Sequence, residues 1–225
     1  MLRRAVLTVV TAVFVVSCAA EPEAEPSEPV AAEPQEVDVA EDGWQVRIDK
    51  SQSATDPDDT SDVEFMPMEG GFHYVGGPAG TLWMPGQTAS GDYTLSATFT
   101  LNEPSSHTNY YGLVFGGSNL GEADQRYQYF QVAQNGTFLI KERTGDATQD
   151  LEGATEHTAV KTPPESGSSV NALEVRVARD TISYVVNDTV VHTTPREGVF
   201  ATTDGIVGAR VNHVTDVTVS DFQVP

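Results

Sequence analysis

Residues 126–143 read RYQYFQVAQNGTFLIKER, and their alternation decides the fold. Asn135-Gly136 is a turn dipeptide, because glycine adopts positive φ at no steric cost. On either side of it the apolar residues fall two apart. Phe130, Val132, Phe138 and Ile140 share one face. Tyr127, Tyr129, Gln131, Lys141 and Arg143 share the other, with Leu139 among them. A period of two belongs to a pleated strand, whose successive side chains point to opposite sides. The stretch is therefore a hairpin with one apolar face and one face of tyrosines, an amide and cations. The second face is expected to point outward, either as a wet sheet surface or as a surface that touches something specific.

The same period recurs along the chain from Gly43. YTLSATFTL sets Leu95, Ala97, Phe99 and Leu101 against threonines and a serine. YYGLVFGG sets Tyr111, Leu113 and Phe115 against Tyr110, Gly112 and Val114. NALEVRVARD turns Leu173, Val175 and Val177 inward, and TISYVVNDTVVHTT is a hairpin about Asn187-Asp188. GWQVRIDK, FMPMEGGFHYV, GTLWMP, GIVGARV and VTVSDFQV read as further strands. No segment shows a convincing helical period. Many threonines and valines suit a pleated, half-buried surface. The sum is an all-β, antiparallel two-sheet β-sandwich spanning residues 43–225.

What precedes it is of another kind. MLRR is basic, Ala5 to Val16 is mostly apolar, and VVSC follows. The apolar run is too short to span a bilayer and fits a signal peptide. VVSC resembles a bacterial lipobox, which implies removal of residues 1–17 and lipidation of Cys18. Cys18 is the only cysteine, so no intramolecular disulfide can form. Ala19 resembles the sorting choice for an outer membrane. Ala19 to Asp42 carries nine acids, four prolines and no lysine or arginine. Such a segment repels itself and cannot bury apolar surface, so residues 18–42 are expected to be a disordered tether. The expected location is the cell envelope, lipid-anchored at the outer membrane or surface of a bacterium.

The whole chain has 33 acids against 12 bases, a formal charge of −21. That balance disfavours nucleic acid and anionic headgroups. It suits neutral ligands, cations or a salty medium.

The order GDYTLSATF, YYGLVF, YQYFQVAQNGTFLIKER, NALEVRVARDTISYVVNDTVV, GIVGARV, VTVSDFQV resembles the concanavalin A-like (laminin-G-like) jelly roll. Within that superfamily it is most similar to the bacterial 3-keto-disaccharide hydrolase domain family. Where members carry an N-S-G-[IV]-[FY]-x-R segment, this chain reads NYYGLVFGG, without the arginine. The resemblance implies an envelope role connected with carbohydrate, and the departure weighs against cleavage. It further implies that one sheet is concave and receives sugars. Tyrosine faces can stack on sugar C–H groups while amides and cations bond the hydroxyls. The expected ligand residues are therefore Tyr127, Tyr129, Gln131, Lys141 and Arg143, with Tyr110 on the neighbouring strand and Arg126 and Asn109 at the rim. Jelly rolls also imply a structural calcium near the chain end, here at Asp221. No cofactor is required.

Other chemistry finds little footing. Glu64 and Glu69 have the glutamate spacing of E-x-D-x-x-E, but Met66 stands at the aspartate position and Pro67 interrupts the ladder. The Asp56 to Asp62 run can offer oxygen ligands to a hard cation, but a solvated loop is the more ordinary reading in so acidic a chain. There is no G-x-S-x-G elbow and no paired histidine spacing. His73 and His107 are the looser candidates near loops. The expectation is binding of a glycan or another envelope partner without cleavage, with a hydrolase or lyase of 3-keto-glycosides and a structural envelope protein that docks to another protein as alternatives.

Overall fold

The computed structural model describes residues 37–39, 43–49, 63–165, 167–212 and 214–225. Cys18, most of the acidic segment and the Asp56 to Asp62 run lie outside the described residues. Fifteen strands are described: β1 (Val37–Val39), β2 (Gln45–Ile48), β3 (Val63–Met68), β4 (Gly71–Gly76), β5 (Gly80–Ala89), β6 (Tyr93–Leu101), β7 (Tyr110–Ser118), β8 (Arg126–Ala133), β9 (Thr137–Thr144), β10 (Ala147–Glu156), β11 (Ser169–Val177), β12 (Thr181–Val186), β13 (Thr189–Pro195), β14 (Gly205–Val211) and β15 (Thr215–Gln223). A 3-10 turn, Gly198–Ala201, lies between β13 and β14.

Two antiparallel sheets result. One runs β1-β2-β5-β14-β7-β8-β9-β10 and the other β13-β12-β11-β6-β15-β4-β3. The expected hairpin is β8 and β9, in the register Phe130↔Ile140 and Val132↔Phe138. Gly136 sits at φ 86 in its turn. Asn187 and Asp188 both adopt positive φ, as their turn requires. Val37–Val39 falls inside the segment read as tether, yet it pairs with β2 at the sheet edge.

The core lies between the sheets. From the eight-stranded sheet it takes Leu82, Tyr111, Leu113, Phe115, Phe130, Val132, Phe138 and Ile140, each no more than 1% exposed. The other sheet supplies Phe99, Leu173, Val175, Tyr184, Val217 and Val219. Phe130 and Tyr184 meet across the gap at 5.3 Å between ring centroids. Trp44 packs edge-on against Phe72 at 5.0 Å. Burying such side chains contributes about 1.5–3 kcal/mol each, so the apolar face of the hairpin anchors the sandwich.

Candidate ligand face

Pleating sends Tyr127, Tyr129, Gln131, Leu139, Lys141 and Arg143 to the outer face of the eight-stranded sheet, as the alternation predicts. The face is not wet, however. Tyr127, Tyr129, Gln131, Leu139 and Arg143 are all buried there. Trp83, Val114, Leu120, Tyr127, Tyr129 and Leu139 form a second apolar cluster, with Tyr110 and Ile206 packed against it. The expectation of an open polar stripe is thus corrected.

A charged network explains the burial. Asp49 Oδ2 accepts from Arg143 Nη1 at 2.9 Å and from Arg210 Nη2 at 2.5 Å. Arg210 Nη1 donates to Tyr127 Oη at 2.8 Å and to Thr81 Oγ1 at 2.9 Å. Tyr127 Oη and Thr81 Oγ1 are themselves 3.0 Å apart. The Arg210 guanidinium lies 5.3 Å from the centre of the Tyr129 ring. Arg47 Nη1 donates to the carbonyls of Leu120 and Glu122, which ties the 119–125 loop over one end of the face. Burial works against the charged form of Arg210, but the Asp49 carboxylate beside it holds its pKa above the ordinary value. Burial likewise raises Tyr127 and Tyr129 although Arg210 pulls the other way, so both remain neutral phenols.

The network also shows the shape of the sheet. Asp49 follows β2, and Arg143 lies on β9, five inter-strand steps away in the order β2-β5-β14-β7-β8-β9. Those steps span roughly 24 Å along a flat sheet. A direct ion pair across that distance requires the sheet to curl, with this face on the inside.

Gln131 has a structural task on the face. Its Nε2 donates to Tyr110 O at 3.3 Å and to Arg210 O at 3.0 Å, crossing its register partner Gly112. A Cβ on Gly112 would lie 2.1 Å from Phe130 O. Gly112 therefore admits close approach of β8, rather than offering bare backbone to a ligand.

Of the expected ligand residues, Tyr110 and Lys141 are the half-exposed ones. Lys141 pairs with Asp150 at 2.8 Å, and Tyr110 Oη is 2.9 Å from Thr137 Oγ1. Arg126 has the parity of Phe130, not of Tyr127, and its guanidinium is bound to Glu142. It does not rim the face. Asn109 is fully buried and donates to Ser105 Oγ and Val214 O.

The remaining candidates lie elsewhere. Glu64 and Glu69 are exposed; Glu64 sits on β3, the edge of the other sheet, and Glu69 just past that strand's end. His73 Nε2 is 2.7 Å from Asp216 Oδ1, and His107 is exposed in the loop before β7. His192 packs near the rings of Phe138 and Tyr184. Asp221 is exposed at φ 50, in an irregularity of β15. Among the described residues no group of three or more His, Cys, Asp or Glu can hold a metal. Asp49, Arg47, Thr81, Trp83 and Arg210 were not anticipated. Their signal is present, since Arg47 and Asp49 alternate with Val46 and Ile48, and Arg210 separates Ala209 from Val211.

No protein-family model and no curated protein matches the chain. Solved structures do. A carbohydrate binding module, CBM66, from Bacillus subtilis superposes with a TM-score of 0.56 at 10% identity, covering 80% of this chain and 93% of that one. The fold is the jelly-roll β-sandwich. A GH16 protein from Bacteroides ovatus, in complex with a mixed-linkage glucan product, superposes with a TM-score of 0.54 at 8% identity, covering 83% and 96%. At these identities the likeness is one of fold.

Proposed function

We propose that the domain binds a glycan on the curled face of its eight-stranded sheet and does not cleave it. The observation that carries this reading is the network beneath that face. Asp49, Arg143, Arg210, Tyr127 and Thr81 lock the floor, while Tyr110 and Lys141 stay accessible at its margin. A rigid floor lowers the ordering cost of binding. The fold shared with a carbohydrate binding module is in keeping with it. Glycoside hydrolysis needs two carboxylates across a cleft. On this face Asp49 is pinned between two guanidiniums, and Asp150 is paired with Lys141. The 3-keto-glycoside hydrolase reading has no such pair among the described residues of the face.

Tyr110→Ala and Lys141→Ala are each expected to weaken binding on a glycan array by about fivefold or more, from loss of a packing surface or a charged donor of about 1 kcal/mol. Unchanged array profiles for both variants would remove the face from consideration.

The envelope location forms part of the proposal and rests on MLRR, the apolar run and VVSC. Cys18→Ala should shift the protein from the membrane fraction to the soluble one while its circular dichroism stays unchanged. A variant that still sediments with membranes would sink the lipid anchor.

A further inference from the structure

The Asn135-Gly136 turn borders a cleft that the curled face leaves unused. The cleft is about 430 Å³, at the small end of ligand pockets, and Asn135, Gly136, Glu156, His157, Thr158 and Thr162 line it above a floor at Val160. Its polar groups are oriented. Asn135 Oδ1 accepts from Thr137 N at 3.2 Å and from Thr137 Oγ1 at 2.7 Å, and its Nδ2 has no partner among the described residues. His157 Nδ1 accepts the Ala159 N–H at 3.1 Å. The neutral imidazole therefore carries its proton on Nε2, as a donor. The ring stands edge-on to Phe138 at 6.4 Å, which fixes its plane. Glu156 adds a carboxylate acceptor, and Thr158 and Thr162 add hydroxyls, all three exposed. Gly136 leaves the space beside Thr162 open, because a Cβ there would lie 3.3 Å from Thr162 Cγ2.

Donors, a carboxylate and hydroxyls around one small cleft select a partner that both donates and accepts. An apolar ligand would strand these groups. An anion would meet Glu156, and a cation would face the donors. Vicinal hydroxyls on a ring satisfy them all, and the ring's C–H surface suits Val160 and the imidazole. A hydrogen-bond chain from Tyr110 Oη through Thr137 Oγ1 to Asn135 Oδ1 joins the cleft to the margin of the curled face. We infer that this cleft is a subsite for one neutral hexose unit, extending the glycan-binding face past the hairpin turn. The inference rests on the glycan-binding reading.

The test is a ¹⁵N spectrum of the chain from Ala19 onward, titrated with methyl β-glucoside, methyl β-galactoside, methyl α-mannoside and laminaritetraose. At least one methyl hexoside should shift the amides of Gly136, His157 and Thr158 saturably. Glu156→Ala should weaken that response by about tenfold, as for loss of a charged hydrogen-bond acceptor. A response that is unchanged in Glu156→Ala overturns the assignment. So does a titration in which laminaritetraose moves Tyr110 and Lys141 while Gly136 and His157 ignore every probe, and the proposed face would then stand alone. If no amide responds to any of these sugars, the face and the subsite fall together.

Discussion

Asp49→Ala is expected to destabilise the domain by about 3–5 kcal/mol, the range for removing one partner of a buried ion pair. Asp49 is 7% exposed and is the acceptor shared by Arg143 and Arg210. Without it Arg210 loses its carboxylate partner in a buried site, and Arg143 keeps only the longer contact to Asp146, at 3.8 Å. Arg210 keeps Tyr127 and Thr81 as partners, but neither carries a compensating charge. The damage would also travel, because Asp49 joins the end of β2 to β9 across the curled sheet. The control is Asp150→Ala, which breaks the more exposed Lys141–Asp150 pair and should cost no more than about 1 kcal/mol. Urea unfolding of both variants decides the matter. Equal losses would show that the Asp49 network is no more than a surface ion pair, and the rigid floor of the face would go with it.

The sequence carried the pleat of this hairpin faithfully, because alternation reports which side chains share a face. It could not report what lies over a face. Tyr127 and Gln131 look like wet-surface residues, yet their burial depends on Arg210, Thr81 and Leu120, which arrive from other strands and a loop. Those partners meet only once the strand order places β14 beside β7 and curls β2 toward β9. Ala147–Glu156 carries no strand signal in the sequence for the opposite reason. It is an edge strand with register shifts and no buried residue, so no alternation marks it. Asn187-Asp188 was legible because its chemistry is local, two short polar side chains at positive φ. The Asn135 cleft fell between these cases. Its turn was plain in the sequence, but its second wall, residues 156–162, was not.

Phe130→Ala is expected to destabilise the domain by about 3–5 kcal/mol, through lost burial and a residual cavity. Phe130 is fully buried between the sheets, 5.3 Å from Tyr184 and 6.2 Å from Phe138 between ring centroids. Alternation alone would make its neighbour Tyr129 dispensable for stability, as an outward side chain. The second cluster changes that. Tyr129 is 4% exposed, lies 5.6 Å from Tyr127 and carries Arg210 over its ring. Tyr129→Ala should therefore cost about 2 kcal/mol or more, from lost burial and the lost cation–π contact. Phenylalanine replacements separate packing from hydrogen bonding. Tyr127→Phe removes the hydroxyl that accepts from Arg210 and bonds Thr81, and should cost about 1–3 kcal/mol because a buried donor loses its acceptor. Tyr129→Phe keeps the ring under Arg210 and should be nearly silent. Chemical denaturation of the four variants reads the pleat and the second cluster together. If Tyr129→Ala proves as silent as Tyr129→Phe, the outer face is open to water after all, and its tyrosines stand free to meet a sugar directly.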